Sequence, residues 1–445
     1  MPSKQKETKQ VDVESRLFAK ASASDDEWEP EDLNMFRFLR RVLNHIDLAY
    51  VATYPPQECG IATFTRDLST AISKYTPFSN PFVIAVGEGA DIEQFPKIVK
   101  FQITKSDPQS YVRAAEMVNN SAVRGVSLQH EYGIFGGLDG EYVLKFVEKL
   151  ERPTVVTLHT VLFNPGPNQK RIVQELGRMC DALVVMVKMG KEMLVNNYGI
   201  PANKVAIIPH GVPNVHRVSA ATIKKTLGIS DRPVISSFGL INRGKGIEYG
   251  IQAMPGILKK HPDAMYLVLG ETHPGVRHNE GESYRKELLQ IVADLGLEKN
   301  VRFNNRYLKL EELINYLCAT DVYITPYINR DQIVSGTLAY ALGCGKAIVS
   351  TPYLYAEEVL SGGRGLLVDF RNPDQLSGAA NRILDDAVLR EQMETKAYKY
   401  GRRAAWFNVA IDYLDLFHRL CPRPKAALGK DLKVSQAETR KGQSS

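Results

Sequence analysis

Short, continuous apolar runs alternate with amphipathic stretches along most of this chain, beginning near Ile46. An apolar run of about four to eight residues is typical of a strand buried on both faces. Its alternation with helical patterns predicts repeated βα units around a parallel sheet. In the first half of the chain, strands are predicted within "IDLAYVATY", "PFVIAVG", "GVSLQHEYG", "PTVVTLHT", "ALVVMV" and "VAIIPHGV".

The alternation stops near residue 215 and then starts again. The polar, turn-rich segment "PNVHRVSAATIKKTLGISDRP" contains no evident strand and marks a domain boundary. The second series of predicted strands lies within "VISSFGL", "AMYLVLG", "NVRFNN", "DVYITPY", "KAIVSTPY" and "RGLLVDF". We therefore expect an α/β protein with two Rossmann-like domains, residues 46–214 and 215–400, facing each other across a cleft at the carboxyl ends of their strands.

The ends of the chain have a different character. Residues 1–45 are expected to form an extension that is partly disordered, and residues 423–445 a disordered tail, because both are polar and charged. The segment "LREQMETKAYKYGRRAAWFNVAIDYLDLFHRL" is predicted to be one long helical stretch. Its last part, residues 401–422, is expected to pack across the two domains.

Composition excludes several classes of protein. Hydrophobic residues make up 44% of the chain and charged residues 24%, and no apolar run approaches the roughly 20 residues that cross a bilayer. The start, "MPSKQKETKQVDVESRL", lacks the apolar stretch of a secretory signal, so we expect a cytoplasmic protein. A net charge of +6 predicts no nucleic-acid partner and at most weak peripheral contact with a membrane. Oligomeric state is not predicted.

Cysteine and histidine spacing gives no metal signature. The five cysteines are widely scattered and include no CxxC pair, which argues against a disulfide framework or a zinc site. No HExxH helix or close Asp-x-Asp pair occurs. We therefore expect neither a structural nor a catalytic metal.

A glycine-rich turn in the second domain is a candidate anion site. In "SSFGLINRGKGIEYGIQAM", residues 236–254, a strand ends in a turn that carries Arg243 and Lys245, and a helix begins near Ile247. Backbone N–H groups at a helix start can hold an anion, with the lysine as a mobile charge. The alternative is that the turn simply connects strand and helix.

A second candidate anion site lies about ninety residues later, in "DQIVSGTLAYALGCGKAIVSTPY", residues 331–353. Ser335 is a natural N-cap, Gly336 allows close backbone approach, and Thr337 adds a hydroxyl in the first turn. Gln332 lies just outside and can bind a neutral hydroxyl, while Tyr340 falls on the same helix face as the first-turn donors. These residues could instead only cap a core helix. Because both turns follow strands of one domain, a diphosphate or sugar phosphate is the common ligand that we favour.

A pair of glutamates follows the next strand. Glu357 and Glu358, in "YLYAEEVLSGGRGLLV", are candidates for binding the hydroxyls of ribose or of a sugar. A glutamate at the start of a helix can also simply complement the helix dipole.

The first domain offers an acceptor side to the cleft. Small residues at the first strand-to-helix turn suit close packing against a substrate: Gly60, Ile61, Ala62 and Thr63. Polar residues end three further strands: His130 with Glu131, His159 and His210. A lone histidine at a strand end is more often structural, but their convergence on one cleft favours acceptor binding or general-base chemistry.

These segments, in this order, resemble the family 4 glycosyltransferases of GT-B fold. The resemblance covers residues 46–420 and depends on "CGIATFTRDL", "QHEYGIFGG", "IIPHGVP", "FGLINRGKGIEYGIQAM", "VRFNNRYLKLEEL", "SGTLAYALGCGKAIVSTPY" and "EEVLSGGRGLLV". It implies transfer of a hexose from a nucleoside diphosphate sugar to a sugar or glycan acceptor, with retention at the anomeric carbon and without a metal or other cofactor.

The resemblance also assigns roles to single residues. It implies that Lys245 neutralises the donor phosphate, that residues 335–337 cradle it and that Glu358 lies near the ribose. Gly239 and Arg306, in two of the matching segments, are further candidates for donor binding.

This chain departs from the family pattern at the two glutamates that the family separates by seven residues. Their positions hold Gln332 and Tyr340, so the helix lacks a carboxylate, and Leu240 replaces the arginine of the first phosphate loop, with Arg243 close enough to substitute. The preferred hypothesis is a retaining transferase with Glu131, His159, Lys245 and Gln332 as its catalytic residues. The alternatives are a glycoside phosphorylase on the same fold and an inactive protein that binds nucleotide sugars or glycans.

Overall fold

The computed structural model describes residues 46–76, 79–89, 92–229 and 232–421. Within these residues the chain forms two parallel sheets, each flanked by helices, as the alternating pattern predicts. The predicted extension, residues 1–45, and the predicted tail, residues 423–445, lie outside the described residues.

The first sheet is a parallel, doubly wound sheet with the strand order β3-β2-β1-β4-β5-β6-β7. Its strands are β1 Leu48–Ala52, β2 Phe82–Gly87, β3 Val99–Thr104, β4 Gly125–His130, β5 Thr154–Leu158, β6 Ala182–Val185 and β7 Val205–Ile207. The chain order reverses between β1 and β4, which opens a crevice at the carboxyl ends of these strands.

The second sheet repeats this arrangement with the order β10-β9-β8-β11-β12-β13, and all of its pairs are parallel. Its strands are β8 Val234–Phe238, β9 Met265–Leu269, β10 Val301–Asn304, β11 Val322–Thr325, β12 Ala347–Ser350 and β13 Leu366–Leu367. Here the reversal lies between β8 and β11, which are the strands that precede the two candidate anion turns.

Helices cover both faces of each sheet. Those of the first half are α1 Gly60–Tyr75, α2 Pro108–Asn119, α3 Val143–Lys149, α4 Pro167–Met179 and α5 Lys188–Tyr198. Those that follow are α6 Ala220–Thr226, α7 Ile247–Leu258, α8 Pro274–Glu280, α9 Ser283–Asp294, α10 Leu310–Ala319, α11 Gly336–Gly343, α12 Leu354–Leu360, α13 Pro373–Asp385, α14 Ala387–Arg403 and α15 Trp406–Leu420.

The long helical stretch that the sequence predicts is in fact two helices, α14 and α15. The chain leaves the helical conformation at Ala404 and Ala405, where it pairs with the segment that links the domains: the amide of Val212 donates to the carbonyl of Ala404 (2.8 Å) and the amide of Trp406 donates to the carbonyl of Val212 (3.0 Å). These backbone bonds replace helical ones at the point where the chain returns to the first domain.

Helix α15 is part of the core of the first domain. Tyr413 and Phe417 are 1% and 0% exposed, and they pack in one apolar cluster with Tyr50 and Phe64. The hydroxyl of Tyr413 is hydrogen-bonded to that of Thr157, in β5, at 2.7 Å. The last described helix therefore completes the face of the first sheet that α1 also covers.

The described helices include none that combines the length and the apolar character required to cross a bilayer.

Candidate functional site

The loops after the strands of the two sheets meet across a cleft. The hydroxyl of Thr63, in the first turn of α1, is 2.8 Å from the hydroxyl of Tyr307, which follows β10. The carboxylate of Glu358, in α12, accepts hydrogen bonds from the amides of Lys188 and Met189 at the start of α5 (2.9 and 3.0 Å). These contacts join the two domains at the carboxyl ends of their strands.

The two candidate anion turns are joined by a chain of hydrogen bonds. The ammonium of Lys245 donates to the hydroxyl of Tyr327 at 2.7 Å and lies 4.0 Å from the centre of its ring. The Tyr327 hydroxyl is 2.5 Å from Oγ1 of Thr337, which is 3.1 Å from Oγ of Ser335. The loop after β8 approaches the same point, since a Cβ on Gly239 would lie 3.0 Å from Thr337. We call the site formed by Gly239, Lys245, Tyr327, Ser335, Gly336 and Thr337 the anion cradle.

Local sequence explains the shape of the cradle. Ser335 caps α11 as expected, because its hydroxyl accepts from the amide of Leu338 at 3.3 Å. Gly246 ends the turn that carries Lys245 with φ of 58°, and a Cβ there would lie 2.1 Å from the carbonyl oxygen of Pro326. Only glycine allows the turn after β8 to pack this closely against the end of β11.

The cradle suits an anion such as a diphosphate. The start of α11 presents backbone N–H groups and the positive end of the helix dipole, and the Lys245 ammonium adds a full charge. The hydroxyls of Tyr327 and Thr337 can donate or accept and so adapt to phosphate oxygens.

Two predicted donor-binding arginines are engaged elsewhere. Arg243 forms a bidentate ion pair with Glu287 of α9 (2.8 and 2.6 Å) and stacks on Tyr284 at 5.0 Å. Arg306 pairs in the same way with Glu312 of α10 (2.8 Å for one of its two bonds). The structure therefore does not bring these guanidinium groups together with Lys245, and their binding to the donor remains a prediction.

Two of the residues predicted to bind hydroxyls, Gln332 and Glu358, already have hydrogen-bond partners within the protein. Gln332 donates to the carbonyl of Val334 at 2.8 Å. Each oxygen of Glu358 accepts one amide at the start of α5, as described above, which fixes the orientation of its carboxylate, and its contact with a ribose remains a prediction. Glu357 is 3.9 Å from Arg330 and its side chain is 39% exposed, which leaves it accessible.

His210 lies between Phe64 of α1, with ring centroids 5.2 Å apart, and the start of α11, and its contact with an acceptor remains a prediction. Its Nδ1 donates to the carbonyl of Gly211 at 2.8 Å, so we assign the hydrogen to Nδ1 and leave Nε2 with a lone pair. A Cβ on Gly336 would be 2.9 Å from that Nε2. Gly336 is therefore required for close packing between the two domains as well as for the cradle.

The other polar strand ends of the first domain are mostly enclosed. His130 is 0% exposed between Tyr132 and Phe135, with ring centroids 5.1 and 5.9 Å away. Glu131 accepts from the amide of Tyr132 (3.0 Å) and from the hydroxyl of Thr160. These two residues therefore organise the loop after β4.

His159 is less enclosed than His130. It is partly exposed, and its Nε2 is 3.0 Å from Oε1 of Gln129. Because an amide oxygen only accepts, Nε2 carries the hydrogen and Nδ1 keeps a lone pair.

Replacing His130 with asparagine is expected to flatten the dependence of folding stability on pH. Neither ring nitrogen of His130 has a hydrogen-bond partner among the described residues, and burial lowers its pKa from 6.5 to about 4. As the pH falls through this window the unfolded chain takes up a proton that the folded chain does not, so His130 lowers the free energy of unfolding by about 1.4 kcal/mol per pH unit. Urea unfolding of both proteins between pH 4 and 7 measures the slopes, and equal slopes would contradict this reading.

The four residues predicted to face an acceptor in the first turn of α1 differ in their exposure to solvent. Gly60 is exposed and Ile61 and Thr63 are half-buried, whereas Ala62 is 0% exposed and faces the core. Of the four residues predicted there, Ala62 is thus the one that the fold keeps away from an acceptor.

Sequence reasoning missed several residues of the cleft. Tyr327 lies two residues after the end of β11, and a polar aromatic residue just beyond a buried strand is the signal that could have found it. Arg66, Asp67 and Tyr307 carry no comparable signal, because they join the site only when the domains face each other.

In the described ranges, from 46 to 421 with their short gaps, no three side chains of His, Cys, Asp or Glu lie together as a metal site requires.

Two facing domains, each built on a parallel, doubly wound sheet, with an anion cradle on the cleft side of the second domain, are typical of the GT-B fold. The family model described as "Glycosyl transferases group 1" matches residues 219–400, and that described as "Glycosyltransferase Family 4" matches residues 132–214. Together they cover more than half of the chain. The chain therefore belongs to the group 1, or family 4, glycosyltransferases.

Individual relatives are distant. The chain is 26% identical to a "GDP-mannose-dependent monoacylated alpha-(1-6)-phosphatidylinositol monomannoside mannosyltransferase" of Corynebacterium glutamicum, over 53% of this chain and 61% of that protein. It is 26% identical to a "D-inositol 3-phosphate glycosyltransferase" of Corynebacterium kroppenstedtii, over 60% of this chain and 61% of that protein. The chain thus spans about three fifths of the length of these curated relatives.

Solved structures share the fold. Sucrose-phosphate synthase from Thermosynechococcus elongatus superposes with a TM-score of 0.69 at 16% identity, covering 84% of this chain and 99% of that one. HepE of Anabaena, solved in complex with UDP and glucose, gives 0.67 at 16% identity and covers 84% of this chain and 100% of its own.

Proposed function

We propose that this protein transfers a hexose from a nucleoside diphosphate sugar to a sugar or glycan acceptor, with retention at the anomeric carbon. The anion cradle is the observation that carries the proposal. Lys245 comes from the turn after β8, whereas Tyr327 and Thr337 come from the segment after β11 and from the first turn of α11, and the three form one hydrogen-bonded group in the cleft. A group of this kind is suited to a diphosphate and is part of a chain that belongs to a glycosyltransferase family.

The cradle accounts for the main electrostatic requirement of the reaction. Negative charge accumulates on the diphosphate as its bond to the sugar breaks. The start of α11 and the Lys245 ammonium are fixed beside that group before the reaction begins, and preorganised charge of this kind is usually the largest single contribution to catalysis. Lys245 is therefore the principal catalytic residue of the proposal.

The remaining predicted catalytic residues take supporting roles. Gln332 is proposed to hold the transferred sugar as a neutral hydrogen-bonding group. On the acceptor side, His159 is better placed than Glu131, whose two oxygens are both engaged. The acceptor is proposed to approach past the exposed Gly60 and the hydroxyl of Thr63.

Relatives support a nucleotide sugar as donor. One is named for its dependence on GDP-mannose, and HepE is known in complex with UDP and glucose. We further propose that the reaction needs no metal or other cofactor and takes place in the cytoplasm.

A panel of nucleotide sugars tests the proposal. Thermal unfolding is measured with UDP-glucose, GDP-mannose and the free diphosphates, because a ligand at about 100 times its Kd adds about 2.7 kcal/mol to the free energy of unfolding. Donors that stabilise the protein are then assayed for release of the nucleoside diphosphate with and without sugar acceptors. Stabilisation followed by release and transfer is the expected result.

Other outcomes separate the alternatives. Stabilisation without transfer or hydrolysis would identify a binding protein, and release of a sugar that requires phosphate but no nucleotide would identify a phosphorylase. Stabilisation by no nucleotide would overturn the proposed donor class.

A further inference from the structure

A polar cluster crosses the cleft beside the anion cradle. Thr63 and Asp67 are four residues apart on one face of α1, and each meets the second domain. Thr63 contacts Tyr307 as described above, and the hydroxyl of Tyr340, in α11, donates to Oδ2 of Asp67 at 3.2 Å. Helix α1 therefore presents a carboxylate to the helix that starts the cradle.

The carboxylate of Asp67 has unused hydrogen-bonding capacity. Arg66 donates from Nε and Nη2 to a single oxygen, Oδ1, at 2.9 and 2.7 Å. Among the described residues, Oδ2 receives the bond from Tyr340, which is longer than the usual O–H···O distance of about 2.7 to 2.8 Å. An ionised carboxylate oxygen can accept more than one hydrogen bond.

The surroundings of Asp67 favour a further hydrogen-bond donor. Its side chain is 11% exposed, and burial raises the pKa of the carboxyl even though the Arg66 guanidinium acts to lower it. The ionised form is thus incompletely compensated, and one more hydrogen-bond donor would stabilise it.

The position of Asp67 relative to the cradle identifies the kind of donor. Tyr340 lies one helical turn beyond Gly336 and Thr337, on the same face of α11. Through its bond to Tyr340, the Asp67 carboxylate is placed about one helical turn from the residues of the cradle. Helix α11 itself, "GTLAYALG", has no carboxylate to receive sugar hydroxyls.

We propose that Asp67 is the carboxylate that binds sugar hydroxyls of the ligand held in the anion cradle, with Arg66 and Tyr340 fixing its position. The inference rests on the proposed function, because it assumes a nucleoside diphosphate sugar in the cradle. The chemistry recognised is a pair of neighbouring hydroxyls, which both the ribose and the transferred sugar provide. Because Asp67 belongs to the first domain, this contact forms only when the two domains are together.

Substitution of Asp67 by asparagine tests the assignment, because the amide keeps the shape of the side chain and removes its charge. Binding to wild type and to Asp67→Asn is measured by calorimetry with UDP, 2′-deoxy-UDP and UDP-glucose, and with the corresponding guanosine compounds and GDP-mannose. Loss of hydrogen bonds to a charged group should weaken binding about 10- to 100-fold. A loss confined to the nucleotide sugar assigns Asp67 to the transferred sugar, and a loss with the free diphosphate that disappears for its 2′-deoxy form assigns it to the ribose.

Controls separate a local effect from unfolding. Glu175→Gln changes a carboxylate of α4 that pairs with its neighbour Arg178, and it should leave all affinities unchanged. Urea unfolding should show that Asp67→Asn is as stable as wild type, since the substitution removes an incompletely compensated charge.

The outcomes are distinct for the inference and for the function on which it rests. If wild type binds a nucleotide and Asp67→Asn binds all probes equally well, the inference is overturned and the proposed function stands. If wild type binds none of the probes, the proposed function is overturned and the inference with it.

Discussion

Replacing Lys245 with alanine is expected to lower kcat/KM for sugar transfer by about 100- to 1,000-fold. The substitution removes the only full positive charge that the structure places among the residues of the cradle. It also leaves the Tyr327 hydroxyl without its donor. Initial rates of nucleoside diphosphate release, with a donor that stabilises the wild-type protein, measure the effect.

Arg243 provides a matched control for this prediction. It lies two residues before Lys245 in the same turn, but its guanidinium is paired with Glu287. Arg243→Ala should therefore lower kcat/KM by less than about tenfold, because its guanidinium is exposed to solvent and turned toward α9 rather than toward the cradle. Equal losses in the two variants would show that the turn acts as a unit and would contradict the special role of Lys245.

Replacing Phe417 with alanine is expected to lower the free energy of unfolding of the first domain by about 3 to 5 kcal/mol. Phe417 is 0% exposed and packs against Gly125, where a Cβ would be 3.0 Å from its ring. Although it lies near the end of the described chain, its contacts are with the first sheet. Denaturant unfolding, followed by hydrogen exchange in β1, β4 and β5, locates the loss.

Phe407 is the control in the same helix. It is 46% exposed, so Phe407→Ala should cost much less than Phe417→Ala. A loss of protection in the second sheet rather than the first would contradict the assignment of α15 to the first domain.

Continuous apolar runs were enough to predict most of the strands, because a strand that is buried on both faces must be apolar along its length. They failed for β3, "VKFQIT", which lies at the edge of the first sheet and in which only Val99 and Ile103 are buried. They also could not show that α14 and α15 are separate, because the break at Ala404 is caused by pairing with Val212, far away in sequence.

The candidate site was predictable where its chemistry is local. Ser335, Gly336 and Thr337 form a helix start whose function follows from neighbouring residues, and Lys245 lies in a turn of recognisable type. The ion pairs that occupy Arg243 and Arg306, and the bonds that occupy Glu358, depend on other helices. These ion pairs and hydrogen bonds could therefore not be predicted from the residues next to them in sequence.

The missing carboxylate of α11 illustrates this limit most clearly. Sequence shows that Gln332 and Tyr340 occupy the positions where acidic residues are expected, but Asp67 lies 273 residues before Tyr340. Asp67 and Tyr340 come together only because the two domains face each other across the cleft. The proposal that Asp67 supplies the missing carboxylate could therefore not be made from the spacing of residues in the sequence.

The return of α15 to the first sheet also affects how the protein is made. On the ribosome, the strands of the first domain emerge long before α15, which is separated from β7 by the whole second domain. At a synthesis rate of about 5 to 20 residues per second, α15 is synthesised about 10 to 40 seconds after β7. Until then the apolar face around Tyr50, against which α15 packs, remains uncovered. During that interval the nascent chain exposes a surface that a chaperone can bind, and the first domain reaches its final stability only after the second has been synthesised.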